Sequence, residues 1–166
     1  MAMQEMVIYG VSFDLIGKQP VVLLKTAEGS RFVPIWVGQF EATAILAKLQ
    51  GGTVPRPMTH DLFSNVLGEL DAKVERVSVT DLKEGTFYAV ITLARDGGEP
   101  LEIDSRPSDA IALAVRTDAP IFAADEVIDE AAIEFEGDDV EEEDIVDQFK
   151  EFLERVTPDE FGAGEP

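Results

Sequence analysis

The chain has 166 residues, 45% of them hydrophobic, and a formal net charge of −21. This length and composition suit one domain of ordinary size with a buried core. The absence of cysteine excludes disulfides, thiolate metal sites and a cysteine nucleophile, and no stretch approaches the roughly 18 apolar residues of a membrane span. The first eleven residues have no basic segment ahead of their apolar residues, so we expect no secretory signal and predict a cytoplasmic location.

The negative charge is concentrated near the carboxyl end. Residues 1–124 contain 11 Lys/Arg and 16 Asp/Glu, a net charge of −5, whereas residues 125–166 contain 2 and 18, a net charge of −16. The body is therefore only mildly acidic, and the last quarter of the chain differs from it electrostatically.

Three strands are predicted in the first 37 residues. Apolar, β-branched runs at residues 6–15 and 21–25 are separated by the turn "GKQP", and a third run at residues 31–37 follows the turn "AEGS". Pro34 cannot donate to a ladder, so the third strand is expected at a sheet edge or at a bulge.

Two helices are predicted next. The first has four apolar residues at helical spacing before the stop signal "QGG" at residues 50–52: Ala42, Ile45, Leu46 and Leu49. The second is expected to begin with Thr59 as its N-cap and to bury one apolar face, formed by Leu62, Phe63, Val66, Leu67 and Leu70.

The middle of the chain alternates between strand and helix patterns. A hairpin is predicted from residues 73–80 and 87–93, followed by a strand at 101–103, a buried helix at 109–116 and a short strand at 120–123. These elements predict an α+β fold: a single compact domain over residues 1–133, with one mixed, mostly antiparallel sheet packed with helices.

The carboxyl-terminal segment is predicted to be a separate tail. Residues 134–144 are expected to form an acidic flexible linker, 145–157 an amphipathic helix, and 158–166 a disordered end. A lone helix of this length is marginal in water, so it needs a surface to pack on. That surface is the chain's own body, a second copy or another protein.

Several catalytic signatures are missing. The sequence has no glycine-rich phosphate loop, no His-Glu-x-x-His and no Gly-x-Ser-x-Gly, and it contains a single histidine. Hydrolysis would therefore depend on carboxylates, arginine and an oxygen-ligated metal ion.

The candidate residues are concentrated at helix starts, where Arg-Pro occurs twice ahead of an aspartate. The candidates are Glu41, Arg56, His60, Asp61, Asp104, Arg106, Ser108 and Asp109. Carboxylates of this kind suit Mg²⁺ or Mn²⁺, and either Arg56 or Arg106 could hold a phosphate in a planar fork. Helix starts also present free backbone N–H groups that favour anions.

Each candidate also has a structural interpretation. Asp61 and Asp109 could simply favour the helix dipole, Thr59 and Ser108 could be caps, and Arg106 could pair with Asp104 or Asp109. His60 could be an ordinary surface or capping histidine, and Trp36 is expected in the core or an interface. Residue chemistry alone thus leads to an α+β domain with an anion or metal site.

Four linked segments resemble the bifunctional nuclease family. They are "FVPIWVGQFEATAI", "PRPMTHDLFSNVL", "VERVSVTDLKEGTFYAVI" and "LEIDSRPSDAIALAVRTDAPIF", within about residues 6–130. The resemblance implies a compact α+β domain that self-associates and cleaves DNA and RNA with a divalent metal ion.

The resemblance also suggests roles for the candidate residues. We expect Glu41, Asp104 and Asp109 to bind Mg²⁺ or Mn²⁺, Arg56 and Arg106 to bind phosphate, and His60 to transfer protons. Asp61 and Ser108 complete the predicted catalytic set with His60 and Arg106.

A second class of function stays open. The basic residues of the body are scattered, whereas nucleic-acid binders usually have a basic patch. The alternative is a non-catalytic, oligomeric regulatory or protein-interaction module. The acidic tail would repel phosphate or occupy the site as a mimic of it.

Overall fold

The computed structural model describes residues 2–14, 18–135 and 142–155, with backbone alone for residues 13, 14 and 142–146. The strands are β1 (Met3–Asp14), β2 (Gln19–Thr26), β3 (Arg31–Trp36), β4 (Ala72–Lys83), β5 (Thr86–Arg95), β6 (Leu101–Ser105), β7 (Ile121–Ala124) and β8 (Ile133–Glu134). The helices are α1 (Gln39–Leu49), α2 (Thr59–Glu69), α3 (Pro107–Thr117), α4 (Asp125–Ala131) and α5 (Glu142–Arg155).

These strands form one mixed sheet in the order β6-β5-β4-β7-β1-β2-β3-β8. Among the described strands, β4 and β7 form the one parallel pair, and all the others pair antiparallel. The expected α+β fold with a mostly antiparallel sheet is confirmed. Pro34 lies near the sheet edge, as predicted, because β8 pairs with β3 only at Arg31 and Phe32.

Local turn chemistry explains why the hairpin and the end of α1 could be predicted. Glu84 and Gly85, between β4 and β5, have φ angles of 49° and 78°, the two positive values of a type I′ turn. Gly51 follows α1 with φ 70°, and the Gly52 N–H donates to the Ala47 carbonyl at 2.9 Å, a Schellman ending.

The two faces of the sheet have separate apolar clusters. Val22 and Leu24 of β2 pack in the larger core, which also contains the buried residues of α1, α3 and α4. Val21 and Leu23 point to the opposite face, because successive strand residues alternate. Helices α1 to α4 therefore belong to one side of the sheet, the helix side.

Helix α5 packs on the opposite side. Phe149 and Leu153 are buried in the same cluster as Phe32 and Trp36 of β3. This helix thus uses the chain's own body as its surface, and Trp36 is a core residue, as expected. Two residues of the predicted linker are also part of the fold. Phe135 packs in this cluster, and Glu134 of β8 pairs with Arg31 of β3.

Other parts of the predicted tail lie outside the described residues. These are residues 136–141 of the linker, the end of the amphipathic helix from residue 156, and the predicted disordered end at 158–166. In the part of the chain that the structure covers, no helix is both long enough and apolar enough to cross a membrane.

Two predictions for α2 are wrong. The N-cap is Met58, and Thr59 is the first helical residue. Of the expected apolar face, Leu67 is buried and Phe63 packs partly against the core, whereas Leu62, Val66 and Leu70 are exposed. The apolar face of α2 is therefore larger than the area of it that α3 and the sheet cover. Helix α4 and strand β8 were not predicted, because both are short and lie in an acidic segment.

Candidate functional site

Four ionisable side chains from α1, α2 and the start of α3 form a continuous hydrogen-bonded network. His60 Nε2, on α2, lies 2.9 Å from Asp109 Oδ1, on α3. Asp109 Oδ2 accepts a hydrogen bond of 2.9 Å from Arg106 Nε, and Arg106 Nη2 donates to Glu41 Oε1, on α1, at 2.8 Å. We call His60, Asp109, Arg106 and Glu41 the relay cluster. It lies on the helix side of the sheet.

The start of α3 supplies the centre of the relay cluster. Arg106 is the N-cap, with extended backbone, and Pro107 at the first helical position has no N–H to leave unsatisfied. Asp109 then falls in the first turn, where the helix dipole favours its negative charge. The i,i+3 spacing on a helix brings Arg106 and Asp109 side by side.

The start of α1 supplies Glu41. Gly38 is its N-cap, and a Cβ atom at Gly38 would collide with Glu41 Oε2. The carboxylate therefore folds back over the helix start, and any residue other than glycine at position 38 would displace it. Glycine at this position leaves room for the carboxylate, and it is not needed for an unusual backbone angle.

Electrostatics keep Asp109 ionised. The hydrogen bond with His60, followed by the bond with Arg106 and the nearby positive charge, holds the pKa of Asp109 below its usual value, although burial acts in the opposite direction. The same pairing with Asp109, and then with Glu41, raises the pKa of Arg106. Because an ionised carboxylate can only accept, His60 carries a proton on Nε2 in this contact, and in the tautomer with a single ring proton the lone pair is on Nδ1.

A second polar contact lies next to the relay cluster. Asp61 Oδ1 accepts a hydrogen bond of 2.7 Å from Arg116 Nε, and Asp61 Oδ2 accepts one of 3.0 Å from the Met58 N–H. The Met58 bond and then the Arg116 bond lower the pKa of Asp61. Arg116 was not among the predicted residues. The signal that could have found it is a charged side chain at the end of an otherwise apolar helix, since buried arginines are almost always paired.

The predicted residues thus divide into two groups. Glu41, His60, Arg106 and Asp109 come together, and Asp61 lies beside them. Three others are placed elsewhere: Arg56 is exposed in the linker between α1 and α2, Ser108 is buried in α3, and Asp104 belongs to strand β6.

Asp104 points away from the relay cluster. It lies opposite Val90 of β5, whereas the neighbouring pairs place Ile103 and Ser105 opposite the core residues Ile91 and Ala89. Because opposite residues in an antiparallel pair share a face, Asp104 faces the other side of the sheet. The alternation of apolar and polar residues in "LEIDS" predicts that Asp104 and Ile103 lie on opposite faces of the sheet.

The predicted metal-binding residues do not fit a divalent cation as they are placed. Glu41 and Asp109 are bridged by the Arg106 guanidinium, whose positive charge would repel a cation, and Asp104 lies on the opposite face. Over the described ranges, no three His, Asp or Glu side chains are grouped to hold a metal ion. The requirement for Mg²⁺ or Mn²⁺ stays a prediction, and no step below depends on it.

The fold and the relay cluster define a class of protein: a small α+β domain in which His60 pairs with Asp109 where α1, α2 and α3 meet. A family model described as the bifunctional nuclease domain matches residues 22–136, which include all of these helices. The chain therefore belongs to the bifunctional nuclease domain family.

The relatives of this chain include one that matches along its whole length and plant proteins that match over the domain. An uncharacterized protein of Mycobacterium tuberculosis (strain H37Rv) is 40% identical over 97% of this chain and 99% of its own length. Bifunctional nuclease 1 of Oryza sativa subsp. japonica is 30% identical over 60% of this chain and 31% of its own. Bifunctional nuclease 1 of Arabidopsis thaliana is 29% identical over 61% of this chain and 32% of its own length. This chain thus corresponds to about a third of each plant protein.

Proposed function

We propose that this protein is a nuclease that hydrolyses phosphodiester bonds at the relay cluster. The observation that carries the proposal is the pair formed by His60 and Asp109 beside the half-exposed Arg106, in a domain shared with plant proteins named bifunctional nucleases. Both DNA and RNA are the proposed substrates, as the family resemblance implies.

His60 is the proposed proton carrier. With Nε2–H donated to Asp109, the Nδ1 lone pair can take a proton from an attacking water, and the imidazolium can return it to the leaving oxygen. The Asp109 carboxylate holds the tautomer and stabilises the imidazolium, the role of the acidic member in histidine-based hydrolases.

Arg106 is the proposed phosphate ligand. Its hydrogen bonds with Asp109 and Glu41 use Nε–H and one Nη2–H, and its side chain is 45% exposed. The remaining N–H groups are suited to the non-bridging oxygens of a phosphodiester. The start of α3 adds backbone N–H groups that favour an anion. Glu41 opposes binding electrostatically, and this effect can be measured.

Cleavage of defined oligonucleotides tests the proposal. Wild-type protein is incubated with single- and double-stranded DNA and RNA, with Mg²⁺, with Mn²⁺ and with a chelator. We expect cleavage that falls by about 100-fold or more in His60→Ala. Equal cleavage by wild type and His60→Ala would contradict the proposal, and the chelator arm tests the predicted metal requirement separately.

A second candidate function is a self-associating interaction module. Helices α1 and α2 and the linker between them expose large apolar side chains: Phe40, Leu49, Val54, Met58, Leu62, Val66 and Leu70. We call these seven residues the α1–α2 surface. Exposed apolar side chains on neighbouring elements are a feature of many interfaces, and Phe40 is 89% exposed. We propose a second copy of the chain as the partner.

Light scattering coupled to size exclusion tests self-association. We expect an oligomer for the wild type and a monomer for the double variant Phe40→Ser, Leu62→Glu. The matched control is Tyr88→Ser on β5, another exposed apolar residue outside this surface. A wild-type monomer at high concentration would contradict this candidate and leave the nuclease proposal standing.

A further inference from the structure

Arg116 makes hydrogen bonds to all three helices that carry the relay cluster. Its side chain is 7% exposed, in the last turn of α3. Nε donates to Asp61 on α2 at 2.7 Å, Nη1 to the Ala112 carbonyl of α3 at 2.8 Å, and Nη2 to the Ala44 carbonyl of α1 at 3.0 Å. One guanidinium thus connects the helices on which Glu41, His60 and Asp109 lie.

The first turn of α2 is attached to α3 at two places. His60 contacts Asp109 and the next residue, Asp61, contacts Arg116. Asp109 and Arg116 are seven residues apart, or about 10 Å along the helix. Two neighbouring side chains therefore contact α3 nearly two turns apart, which fixes the position and the rotation of the α2 start.

Apolar packing holds α2 beyond its first turn, where Phe63 packs partly against the core. Among the described residues of α2, Leu67 is the one that is buried, and it lies two turns beyond His60. Several apolar side chains of α2 are instead exposed, including Leu62. The orientation of the α2 start consequently depends on its polar contacts.

We infer that Arg116 is a positioning residue of the relay cluster: it holds α1 and α2 against α3 so that His60 reaches Asp109 and Glu41 reaches Arg106. It does not touch the substrate, because its guanidinium is buried and occupied by three acceptors. The catalytic consequence rests on the proposed nuclease function, whereas the effect on His60 does not.

The imidazole of His60 reports on positioning directly. The sequence contains one histidine, so nitrogen-15 spectra of the ring show a single imidazole without assignment. In the neutral imidazole, the contact with Asp109 holds the proton on Nε2. We expect Arg116→Met to shift the two ring nitrogens toward the averaged values of an unconstrained tautomer mixture and to lower kcat by about 100-fold, with a smaller change in KM.

Matched variants separate positioning from stability. Arg31→Met removes an exposed ion pair, that with Asp129 at 2.8 Å, and should leave the His60 spectrum unchanged. If Arg116→Met does not fold, Asp61→Ala makes the same test, since it removes the acceptor of the Arg116 Nε–H bond on α2.

The inference is overturned by a folded Arg116→Met or Asp61→Ala protein whose His60 nitrogens match the wild type. Shifted nitrogens in both variants support it. If wild-type protein cleaves no nucleic acid but the nitrogens shift, the positioning role stands and the proposed function fails.

Discussion

Arg106 is shared by two carboxylates, which has a consequence for substrate binding. Asp109 accepts from Nε and Glu41 accepts from Nη2, so a phosphate must approach an arginine whose charge is already offset. Glu41 is the member of the relay cluster that has no proposed part in either proton transfer or phosphate binding. Its charge should therefore weaken binding without assisting the chemical step.

Glu41→Gln is expected to tighten substrate binding. Removing one negative charge beside Arg106 should lower KM by about fivefold, since exposed and half-exposed pairs are worth up to about 1 kcal/mol, while kcat changes little. Steady-state kinetics on a fluorescent oligonucleotide make the measurement. An unchanged or raised KM would contradict phosphate binding by Arg106. Glu28→Gln, on an exposed turn between β2 and β3, removes one negative charge elsewhere and is the control for the effect of net charge on KM.

The helix starts show what could be predicted from individual residues. The clustering of charge around "RPMTHDL" and "DSRPSDA" was visible in the sequence, and Glu41, His60, Arg106 and Asp109 do come together. Their exact partners were not visible, because contacts between residues 41, 60 and 109 depend on how helices pack, which local patterns do not specify.

At the scale of elements, α2 has a long apolar stripe but few buried residues. Periodicity shows that a helix has an apolar face, yet it does not show whether the chain's own core covers that face. Strand and hairpin predictions succeeded where a turn required particular backbone angles, as at Glu84 and Gly85. Helix α4 was missed because its apolar residues, Val127, Ile128 and Ala131, span little more than one turn.

The contact between α2 and α3 should make stability depend on pH. The pKa of Asp61 is lower in the folded state than its ordinary value. Its carboxylate therefore contributes stability at pH values above the unfolded-state pKa, and this contribution is lost as the pH falls through the lower folded-state pKa. The relevant window is the acidic range below about pH 4.

Asp61→Asn tests this dependence. We expect the variant to be less stable than the wild type by about 1–2 kcal/mol at pH 7, because the bonds from Arg116 and the Met58 N–H lose their charged acceptor. The difference should shrink as the pH falls below about 4, because the unfolded carboxylate then takes up a proton, and the advantage of the wild type is lost progressively toward the lower folded-state pKa. Urea unfolding at pH 7 and pH 3 measures both quantities, and an equal difference at the two pH values would contradict the account.

For the whole molecule, the sheet separates the relay cluster from α5. The helix packs on the opposite face, against Phe32 and Trp36, so residues 142–155 do not cover the cluster. Charge composition predicted a distinct tail, and the apolar spacing predicted its helix. Which of the two sheet faces receives it could not be read from the sequence, because both faces of β2 are apolar.

Phe149→Ala tests the packing of α5. Phe149 is buried in the cluster of β2 and β3, so its removal should lower the free energy of unfolding by about 3 kcal/mol. Glu151→Ala, at an exposed position on the same helix, should change it by less than about 0.5 kcal/mol. Equal stability of the two variants in urea titrations would show that α5 does not pack on this face.

The central claim is that the chemistry takes place on the helix side of the sheet, at the pair formed by His60 and Asp109. The most direct test compares kcat for oligonucleotide cleavage in two isosteric variants, Asp109→Asn and Asp104→Asn. We predict a loss of about 100-fold or more for Asp109→Asn, because the amide no longer holds the histidine tautomer, and near wild-type cleavage for Asp104→Asn. Comparable losses in both variants, or none in Asp109→Asn, would contradict the account.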